Sequence, residues 1–181
     1  MKIAAGLVAV LVILLGMIAA IGNLDGSIAF GDPSAATNPA VSISDNSPVT
    51  GVEVAYLEFV VGTLKTVSND INTLGMLFSQ PAFEDEYWRS SATVVLSRIE
   101  LSLSAIEPLQ PTPRLQAFQY AAVKALRHSG ELARMIRALL LEGTAELTEE
   151  AADELVAAAE AFGETEDILN AFLDAHPLPE E

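Results

Sequence analysis

Residues 50–80 read TGVEVAYLEFVVGTLKTVSNDINTLGMLFSQ, and the fold turns on how their apolar side chains are spaced. Leu57, Leu64, Ile71 and Phe78 recur every seven residues, and Val60, Val67 and Leu74 interleave three residues on, which is one narrow stripe along an α-helix. If each of these side chains is largely buried at about 1.5–3 kcal/mol, the stripe outweighs the weak helix propensities of Gly62 and Gly75. Packing, not propensity, makes this helix. Ahead of it, Thr50 and Glu53 form the TxxE pattern of a capping box, in which the threonine oxygen takes an orphan amide and the glutamate returns to the cap.

Working toward the C-terminus, Gln80, Pro81 and Ala82 break the helix and start the next, since proline is tolerated in a first turn where its absent amide is not missed. A second helix over about residues 83–107 places Glu84, Asp85 and Glu86 in its first turn and points Trp88, Ala92, Val95, Ile99, Leu103 and Ile106 inward. PLQPTP at 108–113 stops it. Thr112 and Pro113 then serve as N-cap and first residue of a third helix, whose seam is Leu115, Phe118, Ala122, Ala125, Ser129, Leu132, Ile136 and Leu139, with Gly143 as C-terminal cap. Thr148 caps a fourth with the seam Ala151, Leu155, Ala158, Phe162, Thr165, Leu169 and Phe172, and Pro177 ends it. Short connections between long helices make antiparallel neighbours. The expectation is an all-α, up-down-up-down antiparallel four-helix bundle over residues 47–176, roughly 40 Å long.

Working toward the N-terminus, residues 23–46 are rich in Gly, Ser, Ala, Asn and Pro without a sustained period, as in a flexible linker. Residues 1–22 are a signal peptide or transmembrane anchor. From Ile3 to Ile21 the chain carries no charge, and as a helix this run is about 28 Å long, close to the thickness of a bilayer core. The pairs Ala20/Gly22 and Ala29/Gly31 each fit a signal peptidase site, so cleavage and anchoring both stay open. Lys2 is followed by no Lys or Arg before Lys65, which keeps the N-terminus in the cytoplasm and puts the bundle outside it. The expected location is extracytoplasmic, anchored in the cytoplasmic membrane by the N-terminal helix, or secreted if the leader is cut. Residues 177–181 form an acidic tail.

Composition removes several functions. The formal charge is −16, from 25 acidic against nine basic residues, so the footprint for gripping phosphate backbones is missing and nucleic acid is not an expected partner. No cysteine is present, which excludes disulfides, thiolate metal sites, thiol nucleophiles and a lipidated cysteine. The densest acidic stretch, TEEAADELVAAAEAFGETED at 148–167, holds eight acids and no base. With Leu155, Phe162 and Leu169 on the seam, Glu149, Glu150, Asp153, Glu160, Glu164 and Asp167 point outward, while Glu154 and Glu166 flank it. Lys124, Arg127, Arg134 and Arg137 form an outer face of the third helix by the same count. Such runs serve solubility.

Catalytic and metal constellations are not found. A di-iron bundle needs inward glutamates and ExxH, but His128 is preceded by Ala125 and His176 by Leu173 at that spacing. His128 with Glu131 gives an HxxE pair lacking further ligands, and His176 suits a helix terminus. Met76, Met135, Phe78, Phe118 and Phe162 read as core. The expectation is no enzyme, no catalytic residue, no metal site and no cofactor, with cofactor-binding residues left unknown.

One feature asks for a partner. Tyr87, Val94 and Leu101 repeat every seven residues on the second helix, about 200° from its core stripe, so that helix is apolar on two sides. These three are the candidate protein-binding residues, for another envelope protein or a second copy.

The segments EYWRSSATVVLSRIELSLSAIEPLQPTPRLQAF (86–118), ALRHSGELARMIRALLLEG (125–143) and EEAADELVAAAEAF (149–162) carry a resemblance. Over about residues 86–172 the chain resembles uncharacterised bacterial exported proteins, in which a tryptophan-led helix, a leucine-proline break and two Ala/Leu-rich helices follow a signal or lipoprotein sequence. The resemblance implies export and a helical bundle, and no known activity. Those proteins often carry a lipidated cysteine, which this chain lacks. Two functions follow as expectations. The first is a non-catalytic, membrane-tethered helical bundle acting as a protein-interaction or structural module of the cell envelope. The second is an extracytoplasmic small-ligand sensing or carrier domain, with a cavity where Ala122, Ala125 and Ser129 leave volume between helices.

Overall fold

A computed structural model describes residues 47–176. The expected leader or anchor (1–22), linker (23–46) and acidic tail (177–181) lie outside the described residues. Among the described residues there are four α-helices and no strand: α1 (Gly51–Ser79), α2 (Glu86–Ile106), α3 (Gln116–Glu142) and α4 (Glu149–Ala175). None of them is long and apolar enough to cross a membrane.

The capping box opens α1. The Thr50 hydroxyl accepts from the Glu53 amide at 3.3 Å, and the Thr50 amide donates back to the Glu53 carboxylate at 2.9 Å. Six of the seven stripe residues of α1 are buried. The seventh, Phe78, is half-buried at the end of the helix, where its ring meets those of Phe83 and Trp88 at centroid distances of 6.3 and 5.4 Å. Met76 departs from its expected place in the core and is exposed, because it lies on the opposite side of α1 from the stripe.

Two helix starts differ from the reading of the sequence. α2 begins at Glu86, three residues late, because the Asp85 side chain takes the amides of Tyr87 and Trp88 at 2.8 and 3.1 Å and so becomes the N-cap. Residues before it form a turn closed by the Asp85 amide on the Ala82 carbonyl. The indole of Trp88 donates to the Leu77 carbonyl at 3.2 Å, fastening the start of α2 to the end of α1. Thr112, read as the cap of α3, is the N-cap of a short 3-10 turn ahead of it and makes no side-chain cap bond. Its hydroxyl donates to Glu53 at 2.7 Å, and the chain enters α3 through a single 3-10 turn, Pro113–Leu115. The other two ends match their residues. Gly143 closes α3 in the left-handed conformation at φ 68, and the Thr148 hydroxyl accepts from the Ala151 amide at 3.1 Å.

Consecutive helices pack on one another, most extensively α3 with α4, and α1 also reaches α3; α1 and α4 are not among the pairs whose backbones approach closely. Small side chains explain the α3–α4 contact. Ala121, Ala122, Ala125 and Ser129 are fully buried on α3, and Ala151, Ala158, Ala159 and Ala161 are buried on α4. The buried hydroxyls of Ser129 and Thr165 donate to carbonyls four residues back, at 2.8 and 2.7 Å, so close approach leaves them satisfied.

Gly130 sits within α3 with nothing inside 4 Å of where a Cβ would be. Gly130→Ala should therefore raise unfolding stability by about 0.5–1 kcal/mol, through the entropy of the unfolded chain alone. Urea denaturation checks this as a higher midpoint at an unchanged slope.

Candidate functional site

Two constructions stand out on this framework, an apolar face and a polar knot. The apolar face belongs to α2. Tyr87, Val94 and Leu101 are 82%, 53% and 66% exposed, on the side of the helix away from its buried residues. Ser90, Ser97 and Ser104 alternate with them at steps of three and four. Ser104 donates to the Leu101 carbonyl at 2.7 Å, and Ser97 accepts from Arg137 at 3.1 Å. The three predicted residues thus form one row, held by the Asp85 cap and the Trp88 anchor at its start.

The knot joins the other end of the helices. Glu53 is 2% exposed, yet it is ionised. Burial opposes its charge, but the Arg114 guanidinium, the Thr112 hydroxyl and the Thr50 amide and hydroxyl outweigh that and hold its pKa near 2. Arg114 grips both carboxylate oxygens, at 3.1 and 2.5 Å, and donates to the Ser47 carbonyl at 3.0 Å. Its guanidinium carbon also stands 5.9 Å from the centre of the Phe172 ring. His176, buried at the C-terminal end of α4, brings Nδ1 to 3.3 Å from Arg114 and 3.2 Å from the Ser47 carbonyl. Nearby, the Tyr56 hydroxyl donates to Gln119, whose amide donates to the Ile106 carbonyl at 2.9 Å, and burial pushes the Tyr56 phenol up to about 12. These donors and acceptors are spent on one another. The knot ties chain segments together.

Reading the sequence found the Glu53 half of the knot as a cap and missed Arg114, which lies 61 residues away. His128 meets Glu154 of α4 at 2.7 Å rather than Glu131, which instead pairs with Arg134. Lys124 is exposed as expected, with its amine 2.7 Å from Glu164 of α4, whereas Arg137 is half-buried against Glu100 of α2 at 2.9 Å. Arg127 and Arg134 do stand exposed. The six acids of α4 assigned outward are all exposed. Glu154 finds its partner across the seam flank, whereas the Glu166 carboxyl is pushed up by burial first and by Asp167 second. Among the described residues no group of three His, Asp or Glu is placed to hold a metal ion.

Comparison with known proteins finds no matching family model, no matching curated protein and no matching solved structure.

Removing Arg114 leaves a buried carboxylate unpaired, so Arg114→Ala should destabilise the fold by about 3–5 kcal/mol, with Arg114→Ala/Glu53→Gln recovering part of it. Glu53 has a depressed pKa, so its ionisation stabilises the fold fully above its unfolded value of 4.5 and loses that contribution as pH falls toward 2. The shift corresponds to roughly 3 kcal/mol. Denaturation midpoints of wild type should therefore fall between pH 5 and 2 more steeply than those of Glu53→Gln.

Proposed function

We propose that this chain is a non-catalytic, membrane-tethered helical module of the cell envelope that works by binding another envelope protein through the outer face of α2. The observation that carries this reading is the exposed row of Tyr87, Val94 and Leu101, apolar area of a kind more often found at a contact than in water. Tyrosine and large aliphatics spaced by small serines give a partner helix ridges to pack between. The charge-free run of residues 3–21 and the lack of Lys or Arg until Lys65 support tethering with the bundle outside the cytoplasm.

The bundle itself reads as up-down-up-down. Asp70 of α1 pairs with Arg98 of α2 while Leu77 pairs with Trp88, so position rises on one helix as it falls on the other. Lys124–Glu164 and His128–Glu154 relate α3 and α4 in the same sense. Across α1 and α3, Glu53–Arg114 and Tyr56–Gln119 rise together, as in parallel alternate helices. A ligand carrier is the weaker reading, since Ala122, Ala125 and Ser129 are fully buried on the helix pair that packs most extensively.

The absence of cysteine makes location readable with single substitutions. Glu150→Cys in the full chain should react with a membrane-impermeant maleimide in intact cells; labelling only after lysis would overturn the location. A photo-crosslinking side chain at Val94 should give one discrete adduct with another envelope protein. Leu101→Glu should reduce that adduct at least about tenfold, and one at Asp153 should give none. Equal adducts from both positions would overturn the face.

A further inference from the structure

We propose that His176 and Arg114 form an acid-released latch on residues 47–49, the stretch by which the chain enters α1. Arg114 works in two directions. Toward α1, its Nε and Nη2 take the Glu53 carboxylate at 3.1 and 2.5 Å. Toward the incoming chain, Nη1 donates to the Ser47 carbonyl at 3.0 Å and Nη2 to that of Pro48 at 3.4 Å. Val49, next in line, is 3% exposed and belongs to the core, so these bonds hold the lead-in against the packed helices. His176 closes the arrangement. Its Nδ1 lies 3.3 Å from Arg114 Nη1 and 3.2 Å from the Ser47 carbonyl, so polar atoms from three parts of the chain form a triangle. The imidazole is buried and packs on the Phe172 ring at a centroid distance of 4.7 Å.

The triangle accommodates a neutral imidazole. In one tautomer Nδ1 accepts from Arg114, and in the other it donates to Ser47, so one cation answers one carboxylate either way. A proton on the ring sets a second cation 3.3 Å from the first, away from water. Among the described residues no carboxylate pairs with His176. Glu53 is the anion on the α1 side, and both its oxygens are occupied by Arg114, Thr112 and Thr50. Tyr56, also near this end of α1, is committed to Gln119 and stays neutral, its phenol pushed up to about 12. Asp174 on α4 is exposed and two residues back, about 200° around the helix. The C-terminal end of α4 favours a cation, but Arg114 already stands there, 5.9 Å from the centre of the Phe172 ring. When the second charge arrives, the weaker hold of Arg114 gives way. Its bidentate pair with Glu53 persists, because that carboxyl stays ionised down to about pH 2, and the bonds to two neutral carbonyls are lost. The capping box of α1 stays closed while Val49 leaves the core. Histidine changes charge between about pH 8 and 5, so the latch holds at neutral pH and opens as pH falls.

The latch is separate from the α2 face, and the two readings fail separately. In the cysteine-free full chain, purified in detergent, V49C is reacted with an aromatic disulfide, and its rate is divided by that of the exposed E150C at the same pH. The expected ratio is low at pH 7.5 and rises about tenfold by pH 5, while the emission of Trp88, the single tryptophan, at the far end of α1, does not change. No rise, or a rise accompanied by a change in Trp88 emission as in global unfolding, would overturn the proposal. V49C/H176N keeps an acceptor near the Nδ1 position but cannot gain a charge, so its ratio should stay flat over this range, and V49C/H176Q is read the same way. V49C/H176K should react at the released rate already at pH 7.5. V49C/H128N should keep the full rise. A rise that survives in H176N or H176Q, a slow H176K, or a rise lost in H128N would each overturn the latch.

Discussion

A carboxylate buried at the end of a hydrophobic core has to be answered by a cation in the same place, and Glu53 imposes that constraint here. The answer comes from Arg114, supported by Thr50 and Thr112, and it draws three chain segments to one point: the residue before α1, the connection from α2 to α3, and the end of α4. Heptad stripes alone would not do this. A stripe of Leu, Ile and Val is nearly indifferent to sliding by one repeat, so apolar burial sets which faces meet but only weakly sets where along their length. Sliding α1 past α3 would strand Glu53 without its guanidinium, and the same slide would part Tyr56 from Gln119.

With the register pinned, the surface divides into unlike halves. α4 carries nine acidic residues and no basic one, and the cations of α3 are mostly spent on acids of its neighbours. α1 has four charged residues in 29, two of them buried in pairs, and α2 shows a row of tyrosine, valine and leucine to solvent. The Asp70–Arg98 pair stands between the outer faces of α1 and α2, next to Asn69 on one helix and between Val94 and Leu101 on the other. A highly charged side keeps such a protein dispersed, and the low-charge side is where contact costs least in desolvation. The proposed α2 interface lies on that side.

The helices were legible because their signals are local. The Thr50 and Thr148 caps, the left-handed Gly143 and the three-and-four spacing of α3 and α4 each involve residues within a turn or two, and every seam residue named on those two helices is buried. The starts of α2 and α3 were misread where a side chain had two competing uses. Asp85 could be a first-turn charge or a cap, and Thr112 a cap or a partner for Glu53; the second use prevailed each time. The α2 row was visible as an extra heptad because its residues are large and apolar.

The sequence by itself determined that the chain makes four amphipathic helices, which side of each is greasy, and that most acids of α4 face water, because hydrophobic period and capping act over a few residues. Only the tertiary structure decided which charges meet. Glu53 and Arg114, His128 and Glu154, and Arg137 and Glu100 lie 26 to 61 residues apart, and no local spacing encodes their encounter. Their pairing follows from which helices neighbour one another and at what height, a consequence of packing all four stripes into one core at once.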